Sequence, residues 1–383
     1  MRGALNAGVS LAQTAVTNFG QAGSLVVNPS DEYDYEYVLD CQPTAQNGPL
    51  AIALSNFSVQ LRNRETLGLE YESVVSNQFV AHESTVNEIW TSQINPWSIA
   101  TCSSDETVKF WDLRARAPTM TIPFGQEVWS LSVGCGDSLL VGGTNEKAHF
   151  YDVRGGKKLG AYGESHMDPI TRVRFHPTNL PFVVTASEDG VVCFFDCRIP
   201  NEDDAIESIL NVESSVSKIG FFGPQNENLF CLTGTETLDL WNIWTAERIH
   251  HYQTLREDCA ANGVPTDYLI DCIYDQQSTE LFLLAGDHNG TMNVLNIGGG
   301  NGQLRHEAAL MNGHKACVRT AYYAPEQNTL YTGGEDARLC RWSPGSGAAA
   351  AIAATPAPDA SLAQRRTADP AGLKKARKSS RPY

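Results

Sequence analysis

The stretch Ser103-Ser104-Asp105-Glu106-Thr107-Val108-Lys109-Phe110-Trp111-Asp112 holds a turn-forming aspartate, a short strand-like run and a closing aromatic–aspartate pair. The same order returns in Ser187-Glu188-Asp189-Gly190-Val191-Val192-Cys193-Phe194-Phe195-Asp196. Outward from these two, Tyr151-Asp152 and Trp241-Asn242 are further copies, Leu295-Asn296 and Trp342-Ser343 are weaker ones, and Arg62-Asn63 is the weakest. The end points 63, 112, 152, 196, 242, 296 and 343 are spaced 40 to 54 residues apart. A period near 40–45 residues marks a supersecondary unit that cannot bury its faces alone and must stack on neighbours.

Seven residues before each end point stands a polar turn former: Asn56, Asp105, Asn145, Asp189, Thr235, Asn289 and Asp336. Asp and Asn side chains bond their own backbone and tolerate the left-handed region, so they close tight hairpins. Three units add a histidine ahead of a strand-like segment: His82, His166 and His314, paired with Asp105, Asp189 and Asp336. A buried imidazole needs partners. The expectation is a network of histidine, a strand hydroxyl, the turn aspartate and Trp111 or Trp342. In the fourth unit Phe195 cannot donate a hydrogen bond.

These motifs resemble those of the WD-repeat family over about residues 24–343. The resemblance implies an all-β fold, a single seven-bladed β-propeller with four strands per blade and no exposed sheet edge. It also implies that proteins dock on the face bearing the histidine loops. The residue after the first apolar position of each inner strand would point to that mouth: Asn87, Trp129, Thr171, Ser217, Ile270 and Arg319. Trp and Arg are the types enriched at binding hot spots.

The seventh unit has no outer strand after Trp342. Residues 24–28 (Ser-Leu-Val-Val-Asn) are expected to supply it, leaving 1–23 as a flexible arm. Residues 344–383, Ala-rich and then basic, read as a disordered tail. Its cluster Lys374, Lys375, Arg377 and Lys378 fits either a nuclear-import signal or a solubilising basic tail.

Net charge is −16. From Pro344 on there are seven basic and two acidic residues, so that segment carries +5 and residues 1–343 carry −21. Such a body repels phosphate backbones, which argues against nucleic-acid binding by the propeller and favours basic protein partners. The ten cysteines form no CxxC pair and read as small buried hydrophobes of a reducing, nuclear or cytoplasmic, compartment. No apolar run reaches the ~18–20 residues of a membrane span.

No Walker loop, dinucleotide glycine fingerprint, HExxH helix or GxSxG elbow occurs, and no metal or cofactor is expected. His250-His251 lacks a third metal ligand. Acids concentrate in apparent outer segments such as Asp31 to Glu36 and Glu202 to Asp204. The expectation is a non-enzymatic scaffold, a monomer within a larger complex. A chaperone of basic nuclear or ribosomal proteins and a propeller hydrolase are the alternatives.

Overall fold

The computed structural model describes residues 19–27, 36–69, 78–115, 117–298 and 304–344. The acidic-aromatic residues 31–35, the arm before Phe19 and the basic tail cluster lie outside them. The described strands form seven four-stranded antiparallel sheets. Six are built from four consecutive strands, as in Val86–Thr91, Ser98–Ser103, Thr107–Asp112 and Ala117–Pro123 of blade two. Only two short helices interrupt them, Glu202–Ala205 and Leu255–Ala261.

The seventh sheet joins the two ends of the propeller. Phe19–Val26 pairs antiparallel with Arg338–Pro344, from Phe19 opposite Pro344 to Val26 opposite Arg338. The closing strand therefore starts five residues before the stretch expected from sequence. Residues 19–23 are strand rather than arm, and Val27 adds a bond from its N–H to the Ala337 carbonyl at 2.8 Å. The sequence signal at Leu25-Val26-Val27 was apolar clustering. The earlier start comes from Phe19, a fully buried anchor six positions before Leu25.

The apolar residues gather into seven clusters, each shared by two adjacent blades. Phe19 sits between blades six and seven with Phe282, Met292, Leu310, Leu330 and Trp342. Hairpins also press on neighbouring loops. Gly290 has φ +86°, and a Cβ there would come 2.4 Å from the His314 carbonyl carbon, so only glycine fits.

Among the buried polar atoms left without a hydrogen bond, those of one histidine bear on stability. His149, in the third strand of blade three, has neither ring nitrogen hydrogen-bonded and packs edge-on against Phe124. Burial, with Lys158 and Lys147 nearby, pushes its pKa down to about 4. The unfolded chain then binds the extra proton between pH 6.5 and 4, so this residue makes stability fall as pH falls through that window. The contribution is at most about 3 kcal/mol. His149→Leu should flatten the dependence of unfolding free energy on pH between 6.5 and 4, measured by urea titration. Phe19→Ala should cost about 3 kcal/mol in the same assay at pH 7 by opening a cavity at the closure.

Candidate functional site

In blade two the Trp111 indole donates to Thr101 Oγ1 at 2.9 Å. An indole only donates, so this hydroxyl accepts from it, and His82 Nε2 lies 2.7 Å from the same oxygen. A carboxylate only accepts, so His82 Nδ1–H donates to Asp105 Oδ2 at 2.8 Å. Burial holds the His82 pKa below its ordinary value. Burial alone would raise Asp105, but the Thr107 hydroxyl, the Glu83 N–H and His82 outweigh it and hold the carboxylate below its usual range.

Blade seven repeats the set: Trp342 donates to Thr332 at 2.9 Å, His314 Nε2 lies 2.8 Å from Thr332 Oγ1, and His314 Nδ1 lies 3.1 Å from Asp336. In blade four His166 meets Thr185 at 2.7 Å and Asp189 at 3.2 Å, while Phe195 supplies no donor. In each blade the aspartate also accepts the N–H of the residue after the histidine: Glu83, Met167 and Lys315. The network thus pins an inter-blade loop to a hairpin and fixes what that loop presents.

The other turns vary. Asn56 accepts from the Ser58 N–H at 3.2 Å, and the Thr235 hydroxyl bonds that of Thr233 at 3.0 Å. In blade six the capping oxygen belongs to Asp287, which accepts from Asn289 and Thr291, so Asn289 is not the turn's capping side chain.

Five of the expected mouth residues occupy β-bulges of inner strands: Asn87, Thr171, Ser217, Ile270 and Arg319. Asn87 Nδ2 donates to the Val128 carbonyl at 2.8 Å and Thr171 Oγ1 to the Val216 carbonyl at 2.6 Å, so both stitch one blade to the next. Ser217 donates to Leu232 O at 3.1 Å within its own blade. Ile270 is not on the mouth surface. It is 3% exposed and packs in the core between blades six and seven. Its strand, Tyr268–Asp275, is bulged between Leu269 and Asp271, and the apolar side chain joins the cluster that holds Phe282, Leu284 and Val318. Trp129 is half-buried, and its indole points to Asn145 Oδ1 at 3.4 Å. Arg319 is exposed and donates through Nε to Glu335 Oε1 at 2.6 Å.

Sequence reading missed the channel beneath this mouth. Its walls carry Asp40, Glu88, Arg172, Arg174, Lys218 and Asp271 around a cavity of about 90 Å³. Asp40 accepts from the Ile89 N–H of the next blade at 2.9 Å and from Thr320 at 3.2 Å. Glu88 accepts from Ser130 Oγ at 2.6 Å and the Leu131 N–H at 2.9 Å, and pairs with Arg174. Lys218 lies 3.1 Å from Asp271. Burial, then Glu88, raises the Asp40 pKa; burial would also raise Glu88, but Arg174 and Arg172 hold it down. Most of these residues stand two positions after the first apolar residue of an inner strand, as in Val38-x-Asp40, Val86-x-Glu88, Ile170-x-Arg172 and Val216-x-Lys218. That offset was the available signal. Beside the channel a groove of about 340 Å³ opens on the same face, lined by Glu236, Tyr268, His288, Cys317 and Arg319 among others.

The family profile for "WD domain, G-beta repeat" matches residues 73–112 and 156–196, the units of His82 and His166. The chain is 32% identical over 309 residues to the WD repeat-containing protein 89 homolog of Dictyostelium discoideum, covering 80% of this chain and 82% of that one. It belongs to the WD-repeat family. The Arabidopsis thaliana WD repeat-containing protein GTS1 is 33% identical over 346 residues, covering 85% of each chain. The Schizosaccharomyces pombe target of rapamycin complex subunit wat1 is 21% identical over 248 residues, or 62% of this chain and 72% of that one. Among the described residues of this WD-repeat chain, no group of three or more His, Cys, Asp or Glu could hold a metal, and His251 is instead bound to buried Asp239 at 2.9 Å. No described helix is long and apolar enough to cross a membrane. Trp111→Phe and Trp342→Phe should each lower unfolding free energy by about 1–2 kcal/mol. The double variant should show the sum, because blades two and seven do not share the network; chemical denaturation measures all three.

Proposed function

We propose that this propeller is a non-enzymatic scaffold that receives partner proteins on its histidine-bearing face, with Trp129 and Arg319 as anchors. One observation carries the reading: of the six ring residues, these two keep large, directional side chains toward solvent while the others are spent on stitches or core. Asn145 and Glu335 pre-orient them, which cuts the entropy lost on docking. The channel carboxylates of Asp40 and Glu88 have every oxygen committed to N–H, hydroxyl or guanidinium donors, which speaks for architecture rather than hydrolysis. Membership of a multisubunit assembly is in keeping with the name of the wat1 relative.

Basic partners are the second reading, chaperoning of nuclear or ribosomal proteins included. Glu83, Glu106, Glu146 and Glu188 are exposed beside the histidine loops and hairpins of this face, in a body carrying −21. Long-range attraction of that kind is screened by salt. In affinity purification with quantitative mass spectrometry, Trp129→Ala combined with Arg319→Ala should deplete a defined partner set at least tenfold, with the melting temperature within about 2 °C of wild type. Retention of every partner overturns the face. Partners held by the acidic rim should be lost between 50 and 500 mM salt, roughly a threefold shortening of the screening length; salt-insensitive capture overturns the basic-partner reading alone.

A further inference from the structure

Six of the ten cysteines are buried, and Cys135, Cys197, Cys272 and Cys317 are partly accessible. Cys317 opens into the 340 Å³ groove beside the channel mouth. Its Sγ lies 3.2 Å from His288 Nδ1. The imidazole is stacked against the Tyr268 ring, with centroids 5.9 Å apart and planes at 27°. Tyr268 is itself held in place by the Val318 N–H, which donates to its hydroxyl at 2.6 Å. On the far side of the ring, His288 Nε2 is 3.9 Å from Asp267 Oδ2, and the same carboxylate accepts the His288 backbone N–H at 2.9 Å. Thiol and imidazole therefore line one groove, with the carboxylate beyond the ring, the arrangement by which a base activates a sulfur nucleophile.

We propose that Cys317 is a thiol–disulfide exchange site, with His288 as its base and a small-molecule disulfide of the glutathione class as its reactant. Burial, and then the Glu335 carboxylate, hold the Cys317 thiol above its ordinary value, so a standing thiolate is not the source of reactivity. Instead, His288 takes the thiol proton as sulfur attacks, and Asp267 stabilises the imidazolium that forms. The new bond joins Cys317 Sγ to one sulfur of the disulfide. The old S–S bond breaks, and its leaving thiolate receives the proton from His288. Cys317 is oxidised, one thiol is released, and no other oxidant is needed. Cys135 provides the internal comparison: its Sγ donates to the Leu180 carbonyl at 3.1 Å rather than contacting an imidazole nitrogen, among the described residues. The pair lacks the third ligand that would make it a metal site among the described residues.

The test is exposure of the full-length protein to oxidised glutathione at pH 7, followed by peptide mass spectrometry of all ten cysteines with time. Cys317 should acquire the glutathione adduct at least tenfold faster than Cys135. His288→Asn should slow the Cys317 reaction at least tenfold at pH 7 and less at pH 9, where bulk deprotonation supplies roughly a hundredfold more thiolate than at pH 7; the Cys135 rate should not change. Asp267→Asn should give a smaller loss of the same kind. The wild-type preference needs no variant, so Cys135 reacting as fast as Cys317 overturns the proposal. An unchanged Cys317 rate in His288→Asn, or an equal loss at pH 7 and 9, overturns the role of the base.

Discussion

The last sheet of a ring of blades is complete only when segments from both ends of the propeller share it. Here that condition is met by seven paired positions between Phe19–Val26 and Arg338–Pro344. The joint is held by more than backbone bonds. Phe19 is buried against Trp342 and blade six, and Val27 continues the contact toward the first blade. Without it, Arg338–Pro344 would offer a row of unpaired N–H and C=O groups, and the blade-six and blade-seven cluster would lose one of its largest members. Since each apolar cluster is shared by only two adjacent blades, closure is what makes seven local interfaces one cooperative structure.

Within the ring, polar side chains do the work that a continuous sheet would do elsewhere. Asp40 bonds the backbone of blade two, Glu88 that of blade three, Ser130 the Val173 N–H of blade four, and Thr171 the Val216 carbonyl of blade five. These bonds lie on the channel side, where the blades converge and apolar volume is least. Burying such carboxylates is costly unless every oxygen is satisfied, which is the case for Asp40 and Glu88. The channel is consequently charged yet internally balanced. It orders the blades and leaves the rim above it to meet other molecules.

The histidine networks extend this logic outward. Each fixes a connecting loop to the adjacent hairpin through a relay of indole, hydroxyl, imidazole and carboxylate. Blade four keeps three of the four members and packs Phe195 where the donor would be, so the aromatic contact survives and the relay loses its first step. A face whose loops are tied down in this way can hold Trp129, Arg319 and the Cys317–His288 groove in fixed relation to one another. That is the property a docking surface requires.

The features legible in the sequence were local ones. Aromatic–aspartate end points, a polar turn residue at a constant offset and His–Asp pairs in three units all lie within about 30 residues of their partners. Strand period and hairpin geometry dictate them directly, so blade number and the imidazole–aspartate pairs could be read without coordinates, while the hydroxyls of Thr101, Thr185 and Thr332 that complete the networks could not. What tertiary structure alone decided depends on contacts between blades. Ile270 holds the bulge position that carries a polar side chain in four other blades, yet it packs among the apolar residues shared by blades six and seven. Asp287 displaced Asn289 as the capping residue through the geometry of one longer turn. The charges of the channel found partners 40 or more residues away, as Glu88 did in Arg174. Cys317 met His288 only because two blades brought separate loops to one groove. Hydrophobic periodicity specifies which face of a strand is buried, but not which side chain of a neighbouring blade it will meet; that is set by the stacking angle and register of complete sheets.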